Sequence, residues 1–86
     1  MASEYVKSKK RGTLTPGDSV RVAREMIGWS QNELARKTKI PQSTISGIES
    51  DRIALGVERA KKLAIALKVH PAVLLFPQWE INQSVA

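Results

Sequence analysis

The sequence predicts an all-α domain of five short helices. Three observations lead there. Apolar residues recur at three- and four-residue spacing in successive short runs, as one face of a helix requires. Ser, Thr and Pro stand where those runs begin, and Gly or Pro where they end. No segment alternates apolar and polar residues strictly enough to argue for a strand.

Thr15-Pro16 opens the first helix as an N-cap followed by proline at the first helical position, where a missing N–H is no loss. Val20, Ala23 and Ile27 share one face, and Gly28 is the natural stop. Ser30, with Glu33 three residues on, reads as a capping box that opens the second helix. Leu34 and Ala35 point inward there, and Arg36 and Lys37 toward water. Pro41 cannot continue a helix from upstream, so a turn falls around Thr38 to Ile40. The third helix runs from Gln42 to Glu49 on the buried pair Ile45 and Ile48, and Ser50-Asp51-Arg52 ends it. The fourth, from Val57 to Leu67, turns Ala60, Leu63, Ala64 and Leu67 inward, with Glu58 and Lys68 placed to suit the helix dipole. His70 caps a short fifth helix that begins at Pro71, carries Val73, Leu74 and Leu75, and stops by Pro77.

Three stretches follow: a flexible basic arm over residues 1–14, a folded domain over 15–77 and a tail over 78–86. The arm gathers Lys7, Lys9, Lys10 and Arg11 before a turn at Gly12. No stretch repeats another. A chain of 86 residues holds one modest core. The 14 Lys and Arg against 8 Asp and Glu, a net charge of +6, suit a polyanionic partner (DNA, RNA or anionic membrane) or serve solubility alone. The lack of Cys excludes a disulfide framework and a Cys-based zinc site. No apolar run nears the roughly 18 residues that span a bilayer. The first residues form no signal-peptide core, so no membrane role and a cytoplasmic location are expected. No Gly-rich phosphate loop, nucleophile motif or paired-carboxylate cleft is visible, and the one His is a helix cap. Neither an enzyme nor a cofactor is expected.

Residues 16–76 resemble a helix-turn-helix domain of the lambda-repressor/Cro type, the XRE family. The anchors are Arg24 and Gly28, Ser30-Gln31-x-Glu33-Leu34-Ala35, Ile45-Ser46-x-Ile48-Glu49, and Leu63-Ala64-x-Ala66-Leu67. Each is weak alone; together, in register, they are specific. The resemblance implies that the second helix crosses the DNA backbone and the third lies in the major groove. It implies a structural ion pair between Arg24 and Glu49. It makes Gln42, Ser43 and Ser46 the base readers, with Gln42 suited to adenine. Gln31 and Asn32, at a helix start with free backbone N–H groups, together with Thr44 and Arg52, are the implied phosphate contacts. For the serines the alternative is a purely local capping role.

Three positions depart from the family pattern. Pro41 stands where a Ser or Thr usually caps the recognition helix, which removes a bond worth about 1 kcal/mol. Lys39 stands where a Gly usually turns the chain, and a positive φ there is strained. Gly47 replaces what is often a long polar side chain, so sequence reading would rest on fewer contacts or on DNA shape.

A domain this small is expected to act as a homodimer on a palindromic operator. Leu74 and Leu75 are expected in the core, leaving Val73, Phe76, Trp79 and Ile81 for a partner; the alternative is that all of them complete the monomer. The segment LGVERAKKLAIALKVHPAVLLFP resembles antitoxins of the HigA kind, which implies a small ribonuclease toxin as partner and repression of the protein's own operon. A stand-alone phage or chromosomal repressor, or a co-regulator or RNA-binding adapter, are the other readings; the scattered aromatics offer no base-stacking platform. The basic arm has three uses open to it: reaching along DNA, ordering on a protein partner, or remaining a solvated tail.

Overall fold

In the computed structural model, residues 14–78 are described. They form α1 (Pro16–Ile27), α2 (Gln31–Thr38), α3 (Gln42–Glu49), α4 (Val57–Leu67) and α5 (Pro71–Leu75). The expected all-α class holds, and no strand occurs among the described residues. The basic arm up to residue 13, and Trp79 and Ile81 of the tail, lie outside the described residues.

The helix ends follow from local chemistry. Thr15 Oγ1 accepts the Asp18 N–H at 3.0 Å while Asp18 Oδ2 accepts the Thr15 N–H at 3.1 Å. Ser30 and Glu33 make the same reciprocal pair at 3.0 and 2.7 Å. The sequence signalled the second box but not the first, because Asp rather than Glu or Gln supplies the returning carboxylate. His70 Nδ1 accepts the Ala72 N–H at 3.0 Å and so opens α5. At the C-terminal ends of α1, α2 and α4 the chain turns left-handed. Gly28, at φ 90°, does this without strain. Lys39 at φ 65° and Lys68 at φ 60° do it against their own Cβ, each at a cost of about 1 kcal/mol.

Among the described residues, nine apolar side chains form one core cluster: Val20, Leu34, Ile40, Ile45, Ile48, Leu63, Ala64, Leu67 and Leu74. Each larger one contributes about 1.5–3 kcal/mol by leaving water. Helix α1 packs on α3, α4 and α5, and α2 packs on α3 and α4. Ile27 departs from expectation. It is 42% exposed, because the face begun by Val20 runs past the end of the core and emerges beside Met26. Leu75, expected inside, is only half-buried.

Two contacts join α1 to α3. Gly17 lies so close to the end of α3 that a Cβ there would collide with the Ile48 carbonyl and stand 2.7 Å from Asp51 Oδ1. Asp51 fastens the contact by accepting the Thr15 hydroxyl at 2.8 Å and the Gly17 N–H at 3.3 Å, a carboxylate at the positive end of α1. Deeper in, Arg24 and Glu49 form a two-pronged ion pair. Nε reaches Oε2 and Nη2 reaches Oε1, both at 2.8 Å, with the side chains only 10% and 4% exposed. The third prong, Nη1, donates to the Trp29 carbonyl at 2.8 Å. The bonds that Arg24 donates to Glu49 hold its guanidinium above its ordinary pKa against the opposing effect of burial.

Gly17→Ala gains up to about 1 kcal/mol of helix propensity but must push α1 off α3. A net loss of about 2 kcal/mol is expected, read as a lower urea midpoint at unchanged slope. Glu49→Ala strands a buried cation that cannot lose its charge, so a loss of about 3 kcal/mol or more is expected. That is a fall of roughly 12 °C or more in thermal midpoint. The double change Arg24→Met with Glu49→Leu should lose clearly less than Glu49→Ala alone.

Candidate nucleic-acid interface

The residues implied as readers stand on α3, an eight-residue helix whose two sides differ sharply. Ile45, Ile48 and Glu49 are buried against the rest of the domain, whereas Gln42 and Ser43 are exposed and Thr44 and Ser46 half-buried. Positions 42, 43 and 46 fall on one face, a turn apart. Pro41 heads the helix with no side-chain cap, and its carbonyl accepts the Thr44 and Ile45 N–H groups at 2.9 and 3.0 Å.

Gln42 does not swing freely. Its Nε2 donates to Gln31 Oε1 at 2.8 Å, and Gln31 Nε2 donates to Glu49 Oε1 at 3.0 Å. Glu49 in turn is gripped by Arg24. The polarity of this chain is forced at its buried end: an ionised carboxylate only accepts, so Gln31 must offer its NH₂ and keep its oxygen for Gln42. Gln42 is left with one N–H and its carbonyl oxygen directed away from the relay. Those are the two groups that an adenine edge matches. No local signal marks this role for Gln31, whose two partners stand 11 and 18 residues away. Its side chain is engaged at both ends, so a phosphate contact from this residue would come from its backbone N–H. Ser30 takes the Glu33 N–H, and the N–H groups of Gln31 and Asn32 head α2 without an intrahelical acceptor.

Arg52 is exposed beyond α3, with Nε bonded to Ser50 Oγ at 3.1 Å. The loop that carries it is folded onto α3: the Arg52 and Ile53 N–H groups both donate to the Gly47 carbonyl, at 2.8 and 3.0 Å. This explains Gly47 better than its missing side chain does. A Cβ at 47 would lie 2.5 Å from Ile53 Cδ1, so the residue is buried under Ile53 and a larger one would have to displace the end of that side chain. Among the other implied residues, Val73 and Phe76 are exposed on α5 and just after it.

Comparison with known proteins places this arrangement. A family model for helix-turn-helix domains matches residues 20–74. A hypothetical transcription factor of Neisseria meningitidis serogroup B is 36% identical over 62 residues, which cover 72% of this chain. The chain spans only 58% of that relative's length. Among solved structures, the P22 c2 repressor in complex with a synthetic operator superposes with a TM-score of 0.70 at 25% identity, covering 74% of this chain and 97% of that one. The Neisseria hypothetical transcription factor NHTF gives 0.67 at 28% identity, covering 81% and 77%. The restriction-modification controller protein C.AhdI of Aeromonas hydrophila gives 0.66 at 30%, covering 70% and 91%. With most of its length matched, from the middle of α1 to α5, the chain belongs to the helix-turn-helix family of the lambda-repressor/Cro type.

Proposed function

We propose that the protein is a sequence-specific double-stranded DNA-binding regulator of transcription, with α3 in the major groove and Gln42 as its principal base reader. The observation that carries this is the braced amide: Gln42 is exposed yet fixed by Gln31, itself fixed by the buried Glu49. An ordered side chain loses less entropy on meeting a base than a free one. Ser43 and Ser46 beside it are short enough to let the helix approach base edges. The N–H groups at the head of α2, with Asn32, Thr44 and Arg52, hold the phosphates on either side. The likeness to an operator-bound repressor supports the same docking.

The regulator acts as a homodimer on a palindromic operator, since one α3 reads too few base pairs for useful specificity. Phe76, 60% exposed, and Val73 are the described residues that a second copy would cover. Repression is the sign of regulation that the likeness to the c2 repressor supports. The finer reading, an antitoxin that pairs with a small ribonuclease toxin, rests on the resemblance of residues 55–77. Isolation from its native operon tests it: an adjacent gene whose small product copurifies supports the pairing, and the lack of both removes it.

Selection of bound fragments from random DNA at fixed salt tests the main proposal. A palindromic consensus with half-sites about 10 bp, or a multiple of one helical turn, apart is expected; indifference to sequence would favour an adapter or RNA-binding role. On the selected site, Gln42→Ala should lose about 1–3 kcal/mol of discrimination and relax the preference at one base pair. Arg52→Ala should weaken all sequences alike and lower the salt slope by about 1.

A further inference from the structure

Helices α2 and α4 pack on one another, and a hollow of about 320 Å³ lies along their seam. Lys37, Thr38 and Lys39 border it from the end of α2, and Lys62, Ile65 and Ala66 from α4. Ile65 and Ala66 follow Lys62 by three and four residues, so the three share one side of α4. The Thr38 hydroxyl is already used, since it donates to the Leu34 carbonyl at 2.8 Å and accepts the Ile40 N–H at 3.3 Å. What the hollow offers is three lysines beside the apolar surface of Ala66 and Ile65, the latter 80% exposed. Among the described residues, none of these lysines has an acidic partner. Glu58 pairs with Lys61 at 3.7 Å instead, and Glu33 is taken by the Ser30 N–H at 2.7 Å. Lys37 Nζ rests 5.0 Å from the centre of the Trp29 ring, which steadies the side chain without cancelling its charge. Lys39 holds a φ of 65° that glycine would adopt without strain. The tight turn accounts for that φ, and a use for the ammonium group would account for lysine there.

We propose that this hollow docks an acidic segment of another protein, one that sets an apolar side chain beside its carboxylates. Charge complementarity selects the acidic part: Lys37, Lys39 and Lys62 converge from two elements with nothing to neutralise them. Ile65 selects the apolar part. A row of phosphates would match the lysines but leave Ile65 in water, whereas a protein segment can cover both. A second copy of this chain is a poor occupant, because its net charge of +6 repels its like. Position favours a protein as well. The α2–α4 seam is a different surface from the α2–α3 seam, where Gln31 meets Gln42. The partner and DNA can therefore be held at the same time, on separate sides of α2.

Two synthetic peptides test this on the full chain, followed by its backbone amide resonances without DNA. One is a short peptide of Asp, Glu and Leu; the other has each Leu replaced by Ser at equal charge. The Leu peptide should shift the amides of Thr38, Lys39, Lys62, Ile65 and Ala66 together and saturably. The Ser peptide should bind at least about threefold more weakly, as should the Leu peptide to Ile65→Ser. Lys62→Glu should weaken the Leu peptide roughly tenfold, since it adds repulsion to a lost attraction. The same spectra show whether each variant keeps its fold, and Lys62→Gln, with a smaller loss expected, serves if Lys62→Glu does not. Shifts that are absent, or that spread over every lysine without saturating, overturn the proposal. Equal binding of the two peptides overturns it also, because charge alone would then suffice. Random-sequence duplex DNA is the remaining probe. If it shifts Lys62 and Ile65, and Lys62→Glu weakens it, the hollow belongs to phosphates and not to a protein.

Discussion

The buried pair of Arg24 and Glu49 is the interaction on which the rest of the structure depends. It crosses from α1 to the end of α3, and through the Trp29 carbonyl it also fixes the turn that delivers α2. Burying two charges is costly, and a buried pair is often no more stabilising than a well-packed apolar one. What this pair supplies is direction. A carboxylate with two bonds to one guanidinium has one orientation, and its Oε1 has room for one further donor, Gln31. Orientation is then handed outward from a side chain that is 4% exposed to one that stands in solvent. The core defines where α3 lies, and the relay defines where the amide at its tip points.

The packing around α3 follows the same division. Gly17 and Gly47 both lie against another part of the chain: the backbone at the end of α3 stands over Gly17, and the end of the Ile53 side chain over Gly47. Each close approach draws in loop residues: Asp51 accepts the Thr15 hydroxyl and the Gly17 N–H, and the Arg52 and Ile53 N–H groups donate to the Gly47 carbonyl. The loop after α3 is therefore locked on both sides, which sets the position of Arg52 relative to the reader helix. Among the described residues, the left-handed turns at Lys39, Asp51 and Lys68 are the strained points. Each falls where one element must reverse promptly to pack on the next.

Much of the fold was legible because its signals are local. Thr15-Pro16, Ser30 with Glu33, and His70-Pro71 mark helix starts by hydrogen bonds within three residues, and periodicity named most of the core. Ile27 misled because periodicity cannot tell where a helix outruns the core beneath it. The candidate site was legible in part: Gln42, Ser43 and Ser46 could be placed on one face of α3 by resemblance and spacing. The bracing of Gln42 could not, since it joins residues 11 and 18 apart whose pairing exists only after α2 and α3 have packed. The close approaches at Gly17 and Gly47 were hidden for the same reason, because the groups that meet them lie far off in sequence or beyond the end of the helix.

The braced amide is tested most directly by a double-mutant cycle on DNA binding, using Gln31→Ala, Gln42→Ala and the pair, on the selected site at fixed salt. If Gln31 acts through Gln42, its removal should matter far less once Gln42 is gone. The expected coupling is about 1 kcal/mol, roughly a fivefold departure from additivity. Strictly additive losses would contradict it, and would mean that Gln31 and Gln42 meet the DNA independently.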